Sequence, residues 1–203
     1  MIEAAVAALR AGEPVVLPFD TVYGLAAEPS GEESARGLYR LKGREQEQPT
    51  ALVAATLDDL LERIPELRGR TASLAERLLP GPLTLVVPNP SGRFPWITGS
   101  NPDAIGIRVP DIAGPGAAVL AQVGIVIATS ANAPGGRDPR RLADVPARIR
   151  EGAGAVVDGG ELPGAPSTVI DLTAAEPRIL REGALAADEA LARLATAVRS
   201  SAA

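Results

Sequence analysis

Apolar positions along this chain come in short blocks whose period switches between that of a helix and that of a strand. Ile2, Val6 and Leu9 share one helical face over residues 2–10, with Gly12 as a stop. Residues 15–17 and 22–26 read as strands. Ser30-Gly31-Glu32-Glu33 has the form of a capping box, and Leu38 and Leu41 continue it as a helical stripe. Gly43 closes that helix, where Lys42 and Arg44 suit the negative end of its dipole. After a polar loop at 45–49, residues 51–54 form a strand. Thr56 with Asp59 opens a helix to about residue 64, another spans 71–79, and Pro80-Gly81-Pro82 stops it. Residues 83–87 are strongly β-forming.

The second half follows the same rhythm. A Gly/Pro-rich loop covers 91–102, and its Phe94 and Trp96 are expected to form the loop's own small core. Residues 104–110 form a strand carrying one cation, Arg108. An arginine on an apolar strand costs free energy unless it is paired or reaches a cleft. A small helix at 117–123 leads into the most apolar strand, 125–128. Thr129-Ser130-Ala131-Asn132 then stand just past its carboxyl end, where open α/β sheets bind ligands. A charged turn at 137–141, a helix at 146–151 and strands at 155–158, 167–171 and 177–181 complete the pattern. A terminal helix is predicted over 188–198, and the tail at 200–203 is expected to fray.

About nine short strands interleaved with helices predict an α/β (α+β) fold. No linker or internal repeat divides the chain, so residues 1–203 are expected to form a single domain. The short strands and irregular connections argue against a regular Rossmann or barrel repeat.

Composition narrows the chemistry. Aromatics make up 2% of the chain, so the core must be built from Ala, Val, Leu and Ile. No apolar run approaches the ~20 residues of a membrane span, and the amino terminus lacks the basic start of a signal peptide. A cytoplasmic protein is expected. With no cysteine and no histidine, thiolate nucleophiles, Ser-His-Asp triads and His- or Cys-ligated metals are excluded. Catalysis must use carboxylates, Lys, Arg, hydroxyls, backbone N–H groups or a hard cation such as Mg²⁺. The net charge of −5 argues against a general nucleic-acid binder but leaves room for a local basic cleft.

Neither a Gly-x-x-x-x-Gly-Lys-Ser/Thr loop nor a Gly-x-Gly-x-x-Gly fingerprint is present, so a nucleotide would be held some other way. The polar groups at element ends are Thr21, Tyr23, Lys42, Arg44, Arg108, Ser130, Asn132, Ser167, Thr168 and Arg181. Four cations and several hydroxyls suit an anionic ligand: a phosphate, a carboxylate or bicarbonate. The stretch Pro18-Phe19-Asp20-Thr21-Val22-Tyr23-Gly24-Leu25 reads either as the wall of such a site or as a strand with a bulge at Gly24.

Six segments, in this order, carry a resemblance: residues 18–25, Lys42-Gly43-Arg44, Pro80-Gly81-Pro82-Leu83-Thr84, Gly106-Ile107-Arg108-Val109-Pro110, Thr129-Ser130-Ala131-Asn132 and Ser167-Thr168-Val169-Ile170-Asp171. Together they resemble the YrdC/Sua5 family, the threonylcarbamoyl-AMP synthases, from about residue 3 to Gly183. The Lys-x-Arg and Ser-x-Asn signatures of that family correspond to Lys42/Arg44 and Ser130/Asn132. The resemblance implies a twisted open mixed sheet of the YrdC/RibB-like kind, with helices around a large cationic cavity. It implies conversion of L-threonine, bicarbonate and ATP, with Mg²⁺ on the nucleotide, into threonylcarbamoyl-AMP and pyrophosphate for t6A modification of tRNA. Lys42 and Arg44 would be catalytic and hold phosphate. Thr21, Tyr23, Arg108 and Thr168 would bind threonine, and Ser130, Asn132, Ser167 and Arg181 would bind ATP. Transient contact with downstream threonylcarbamoyl-transfer proteins is implied as well.

The chain departs from the family pattern at Phe19, where a small polar residue is usual, and at Glu45 and Thr50. The extra carboxyl-terminal domain of the longer Sua5 form is not expected here. Two rival readings remain open: an RNA-binding module for double-stranded RNA or tRNA, and a related carbamoyl-adenylate-forming protein. The sequence pI near 4.9 counts against the first, and the absence of zinc-finger cysteines against the second.

Overall fold

The computed structural model describes residues 1–201, with side chains through Arg199. In chain order its strands are β1 (Val15–Pro18), β2 (Tyr23–Ala27), β3 (Ala51–Ala54), β4 (Leu83–Pro88), β5 (Ala104–Arg108), β6 (Ile125–Ser130), β7 (Ala155–Val156), β8 (Thr168–Asp171) and β9 (Arg178–Arg181). The helices are α1 (Ile2–Arg10), α2 (Glu32–Lys42), α3 (Leu57–Arg63), α4 (Gly69–Leu78), α5 (Gly114–Val123), α6 (Ala147–Gly152) and α7 (Ala187–Ser201). No helix among the described residues is long and apolar enough to cross a membrane.

All nine strands join one mixed sheet in the order β7-β1-β2-β6-β3-β5-β4-β8-β9. Parallel pairs (β1 with β7, β3 with β5, β4 with β8) are interspersed with antiparallel ones. Because side chains alternate across a strand, each strand serves two faces. One face presents Val16, Leu25, Leu52, Leu85, Ile107 and Ile127 to a continuous apolar core. Helices α2, α3, α4, α6 and α7 cover it, burying Leu38, Leu60, Leu74, Ile149 and Leu194 among others. The opposite face carries a smaller core in which α1 and α5 pack Leu9, Val119 and Leu120 against Val15, Leu17, Ala26 and Val126. Strands β4, β5 and β8 contribute nothing to that second core. Half of this face is therefore without a helical cover, and it carries Gly106, Arg108, Thr84, Val86 and Val169.

Local chemistry explains most element ends. Thr56 and Asp59 form the expected capping box at the start of α3. At the end of α2, Gly43 takes φ 71°, and the Arg44 N–H turns back to the Tyr39 carbonyl at 3.0 Å. The expected box at Ser30–Glu33 does not form. The Ser30 N–H bonds Glu28 in a turn, Glu33 pairs with Arg40, and Gly31 occupies the cap position. Helix α5 begins three residues before the predicted start because Pro115 suits a first turn. Strand β6 continues through Thr129 and Ser130, which pair with Leu25 and Gly24, so these two residues lie inside the strand and not beyond it. Phe94 and Trp96 meet edge-to-face at 6.1 Å, and both pack against the main core instead of forming a separate one. Helix α7 runs on to Ser201, through the first part of the predicted tail, while residues 202–203 lie outside the described region.

Helix α5 lies so close to the end of β1 that a Cβ on Gly116 would collide with the Pro18 carbonyl oxygen. A Gly116→Ala substitution is expected to lower stability by about 2 kcal/mol, as overpacking against fixed backbone does. Urea unfolding monitored by circular dichroism checks this; an unchanged midpoint would show that the helix yields freely.

Candidate functional site

The uncovered half of the sheet floors a cavity of about 500 Å³. Its floor is built from small side chains on alternate strand positions, with Ala51 paired to both Gly106 and Ala128 across three neighbouring strands. Larger residues there would fill the space. Three arginines reach its wall: Arg44 from the turn after α2, Arg108 from β5 and Arg181 from β9.

Arg108 is nine-tenths buried and held by the connection between β1 and β2. Its Nη2 donates to the Asp20 carboxylate and, at 2.8 Å, to the Thr21 hydroxyl. The other oxygen of Asp20 accepts from the Asp111 N–H at 3.1 Å. Burial raises the pKa of the Asp20 carboxyl above its ordinary value, although Arg108 pulls the other way. Burial likewise lowers the pKa of Arg108, with Asp20 opposing. The Phe19 ring lies 5.9 Å from the Arg108 guanidinium carbon and rests on Gly24, where any Cβ would strike it.

Behind a second part of the wall, Lys42 Nζ donates to the Ser130 carbonyl and to Asn132 Oδ1. Asn132 Oδ1 also accepts from the Ser130 hydroxyl at 2.6 Å, and its amide donates to the Gly136 carbonyl. Arg44 donates to the Thr129 hydroxyl and to the Pro49 carbonyl, both at 2.8 Å. Gly43 makes this possible, because its left-handed turn sends Lys42 and Arg44 to neighbouring points on β6. Burial, reinforced by Arg44, lowers the Lys42 pKa to about 8, with Asp138 opposing. Burial also lowers that of Arg44, and the Arg181 charge adds to the effect. Arg181 donates to the Ser167 carbonyl at 2.7 Å. Among the described residues, neither Arg44 nor Arg181 has a carboxylate in ion-pair range, whereas Arg108 does. Among the described residues no group of three or more His, Cys, Asp or Glu is placed to hold a metal ion.

Five predicted residues line the cavity: Arg44, Arg108, Ser130, Ser167 and Arg181. Five do not. Tyr23 and Thr168 face the other side, because their strand neighbours Gly24, Ser167 and Val169 are the ones that point inward. Tyr23 donates to the Gly160 carbonyl and to Asp158, and it accepts from the Gly159 N–H. Thr168 donates to the Leu185 carbonyl and accepts from the Gly183 N–H. Thr21 sits beneath Arg108, and Lys42 and Asn132 sit behind β6, each engaged in internal bonds. Phe19 and Gly24 line the cavity from the stretch read as a possible wall, and Thr129 from the run after the apolar strand core, whereas Thr84 was passed over as a wall residue. Sequence reasoning could have set Thr84 and Val86 on the face opposite Leu83, Leu85 and Val87 by strand alternation. It also passed over a plain count, since Lys42 is the chain's single lysine.

A mixed open sheet with an arginine-lined cavity on its bare half defines an α/β protein whose candidate site lies on the sheet face. A family model covering Sua5, YciO and YrdC proteins, described as telomere recombination, matches residues 7–183, and the chain belongs to that family. A threonylcarbamoyl-AMP synthase of Pyrococcus abyssi is 34% identical over 184 residues, covering 89% of this chain and 53% of the relative. One of Bacillus subtilis is 33% identical over 195 residues, covering 93% and 55%. The chain thus spans about half the length of these relatives. The structure of P. abyssi Sua5 complexed with L-threonine superposes with a TM-score of 0.82 at 31% identity, covering 95% of this chain and 56% of that one.

Two measurements test the site. Asp20→Ala leaves Arg108 buried without its counter-charge and is expected to cost about 3 kcal/mol in urea unfolding; a loss under about 1 kcal/mol would show the pair to be dispensable. Lys42, followed by mass spectrometry of the peptide that carries it, should acylate with a half-maximal pH near 8. A midpoint at the ordinary lysine value would contradict the burial seen here. Because the folded value lies below the unfolded one, Lys42 disfavours folding at pH below about 8, and this cost is relieved as pH rises toward 10.5.

Proposed function

We propose that this chain is an L-threonylcarbamoyladenylate synthase, a nucleotidyltransferase that makes threonylcarbamoyl-AMP and pyrophosphate from L-threonine, bicarbonate and ATP. The observation that carries this reading is the uneven charge around one cavity. Arg44 and Arg181 have only neutral partners, which leaves their charge for a polyanion such as a triphosphate. Arg108 is balanced by Asp20 and suits a group of little net charge, such as a zwitterionic amino acid whose carboxylate faces it. The relatives named threonylcarbamoyl-AMP synthase, and the one bound to L-threonine, support it further.

On this reading the threonine nitrogen bonds to the bicarbonate carbon and water leaves, giving a carbamate. A carbamate oxygen then bonds to the α-phosphorus. The bond to the oxygen bridging the α- and β-phosphorus breaks, and its electron pair leaves with pyrophosphate. With no histidine or cysteine, the chain acts by positioning and by fixed charge: Arg44 and Arg181 hold the phosphates, and Ser130 and Ser167 line their path. Mg²⁺ enters with ATP as part of the substrate. Lys42 and Asn132 hold the β6 end on which Ser130 and Thr129 stand. The product would pass to downstream threonylcarbamoyl-transfer proteins for t6A formation in tRNA.

Arg44→Ala is expected to reduce threonine-dependent pyrophosphate release from ATP and bicarbonate by about 100-fold or more, with the circular dichroism spectrum retained. Near-normal turnover in a folded variant would sink the assignment of Arg44. Absence of threonine-dependent release from the unaltered protein would sink the synthase reading itself.

A further inference from the structure

Thr84 has no task in the reaction set out above, although it closes the segment 80–84 and lines the cavity. It stands in a row that crosses β5, β4, β8 and β9, which are neighbours in the sheet. Leu85 of β4 pairs with Ile107 of β5, which brings Thr84 alongside Arg108. On its other side Thr84 pairs with Val169 of β8, and Val169 pairs with Arg181 of β9. All four side chains of the row line the cavity. Neighbouring strands lie about 5 Å apart, so Thr84 is one strand from Arg108 and two from Arg181.

The buried Thr84 and Ser167 hydroxyls share one hydrogen bond of 2.8 Å. Two hydroxyls bring two hydrogens, and that bond uses one. Whichever way it runs, the other hydrogen of the pair has no acceptor among the described residues. Arg181 decides the direction, because a guanidinium only donates. Its Nη2 lies 2.7 Å from the Ser167 carbonyl oxygen and 3.3 Å from Ser167 Oγ. Ser167 Oγ therefore accepts from Arg181 and passes its own hydrogen to Thr84, which leaves the Thr84 hydrogen spare. A chain that runs from a cation through two hydroxyls polarises the last one as a donor. Thr50 and Thr129 also keep a spare hydroxyl hydrogen, but they stand beside Arg44, on the β3 and β6 side of the floor.

We propose that Thr84 binds bicarbonate and the carbamate made from it, donating its hydroxyl hydrogen to one of their oxygens. This rests on the synthase reading above. The covalent order of the product fixes the place: the amino-acid skeleton comes first, then the carbamoyl carbon, then the α-phosphorus. A group that holds the carbamoyl oxygens must stand between the one that faces the amino-acid carboxylate and one that holds phosphate. Thr84 stands there, between Arg108 and Arg181. In the carboxylation the neutral threonine amine bonds to the bicarbonate carbon. One amine hydrogen leaves with the bicarbonate hydroxyl as water, and the negative charge stays on the two remaining oxygens. Both anions are planar about the same carbon, so one donor serves both. By holding one oxygen it leaves the other to attack phosphorus.

The test is threonine-dependent pyrophosphate release in buffer freed of carbon dioxide, with bicarbonate, MgATP and threonine each varied in turn. It compares the unaltered chain with the isosteric Thr84→Val, the truncated Thr84→Ala, the hydroxyl-keeping Thr84→Ser and Thr129→Val. Thermal unfolding confirms that each variant folds. Thr84→Val and Thr84→Ala are expected to lower kcat/KM for bicarbonate by about 10- to 100-fold, as loss of a hydrogen bond to a charged group does, with the KM values for ATP and threonine moving by less than about 3-fold. Thr84→Ser should recover most of the loss. An unchanged bicarbonate dependence in folded Thr84→Val or Thr84→Ala would overturn the proposal and leave the synthase reading standing. So would a parallel rise in all three KM values, the mark of a hydroxyl pair that only ties β4 to β8. A bicarbonate effect carried by Thr129→Val and not by Thr84→Val would overturn it as well. No threonine-dependent release from the unaltered chain would overturn both readings.

Discussion

The ion pair between Arg108 and Asp20 joins two parts of the molecule that have little else in common. One is the bare half of the sheet, reached through β5. The other is the turn between β1 and β2, which belongs to the half covered by α1 and α5. Burial makes each charge costly alone, so each depends on the other. Asp20 also fixes the Asp111 N–H, and the Thr21 carbonyl accepts from Gly164. A four-residue turn thus anchors the segment after β5 and the long segment before β8. The pairing adds to the packing in the second core that holds the Phe19 ring above the sheet as one wall of the cavity.

The charges around the cavity divide by what surrounds them. Arg108 has its counter-ion; Arg44 and Arg181 hang from carbonyls and hydroxyls, which orient them without neutralising them. Burial is the main cause of the lowered pKa of Arg44, and the Arg181 charge adds to it. Lys42 has a different task. Its three-way contact with Ser130 and Asn132 stiffens the end of β6, so that hydroxyls on that strand are presented from a fixed backbone. A chain without histidine or cysteine has to place its few charged groups well, and here the scaffold around each does so.

Much of the fold could be read from local pattern. The helical face of Ile2, Val6 and Leu9, the Thr56–Asp59 cap, the turn at Gly43 and the strand at residues 51–54 all depend on neighbours in the chain, and all form as expected. The order of the sheet could not be read this way. β3 lies between β6 and β5 because of packing across large sequence separations, and nothing in residues 51–54 announces those partners. In the site, residue types were legible and their directions less so. Tyr23 and Thr168 carry the right chemistry but stand one position out of phase with the cavity. Phe19 was visible as one residue of a stretch read as a possible wall and as a departure from the family pattern. Its role rests on a glycine five residues away and an arginine nearly ninety residues away, contacts that no local reading contains.

The close seat of the Phe19 ring on Gly24 also restricts how this sequence can change over generations. With phenylalanine at position 19, every side chain at position 24 meets the ring, so substitutions there are blocked. With a small residue at 19, that obstacle disappears. The two positions therefore form an ordered pair in which 19 must change before 24 can. A lineage altering the shape of this cavity would pass through position 19 first, and Gly24 would persist as long as the aromatic ring does.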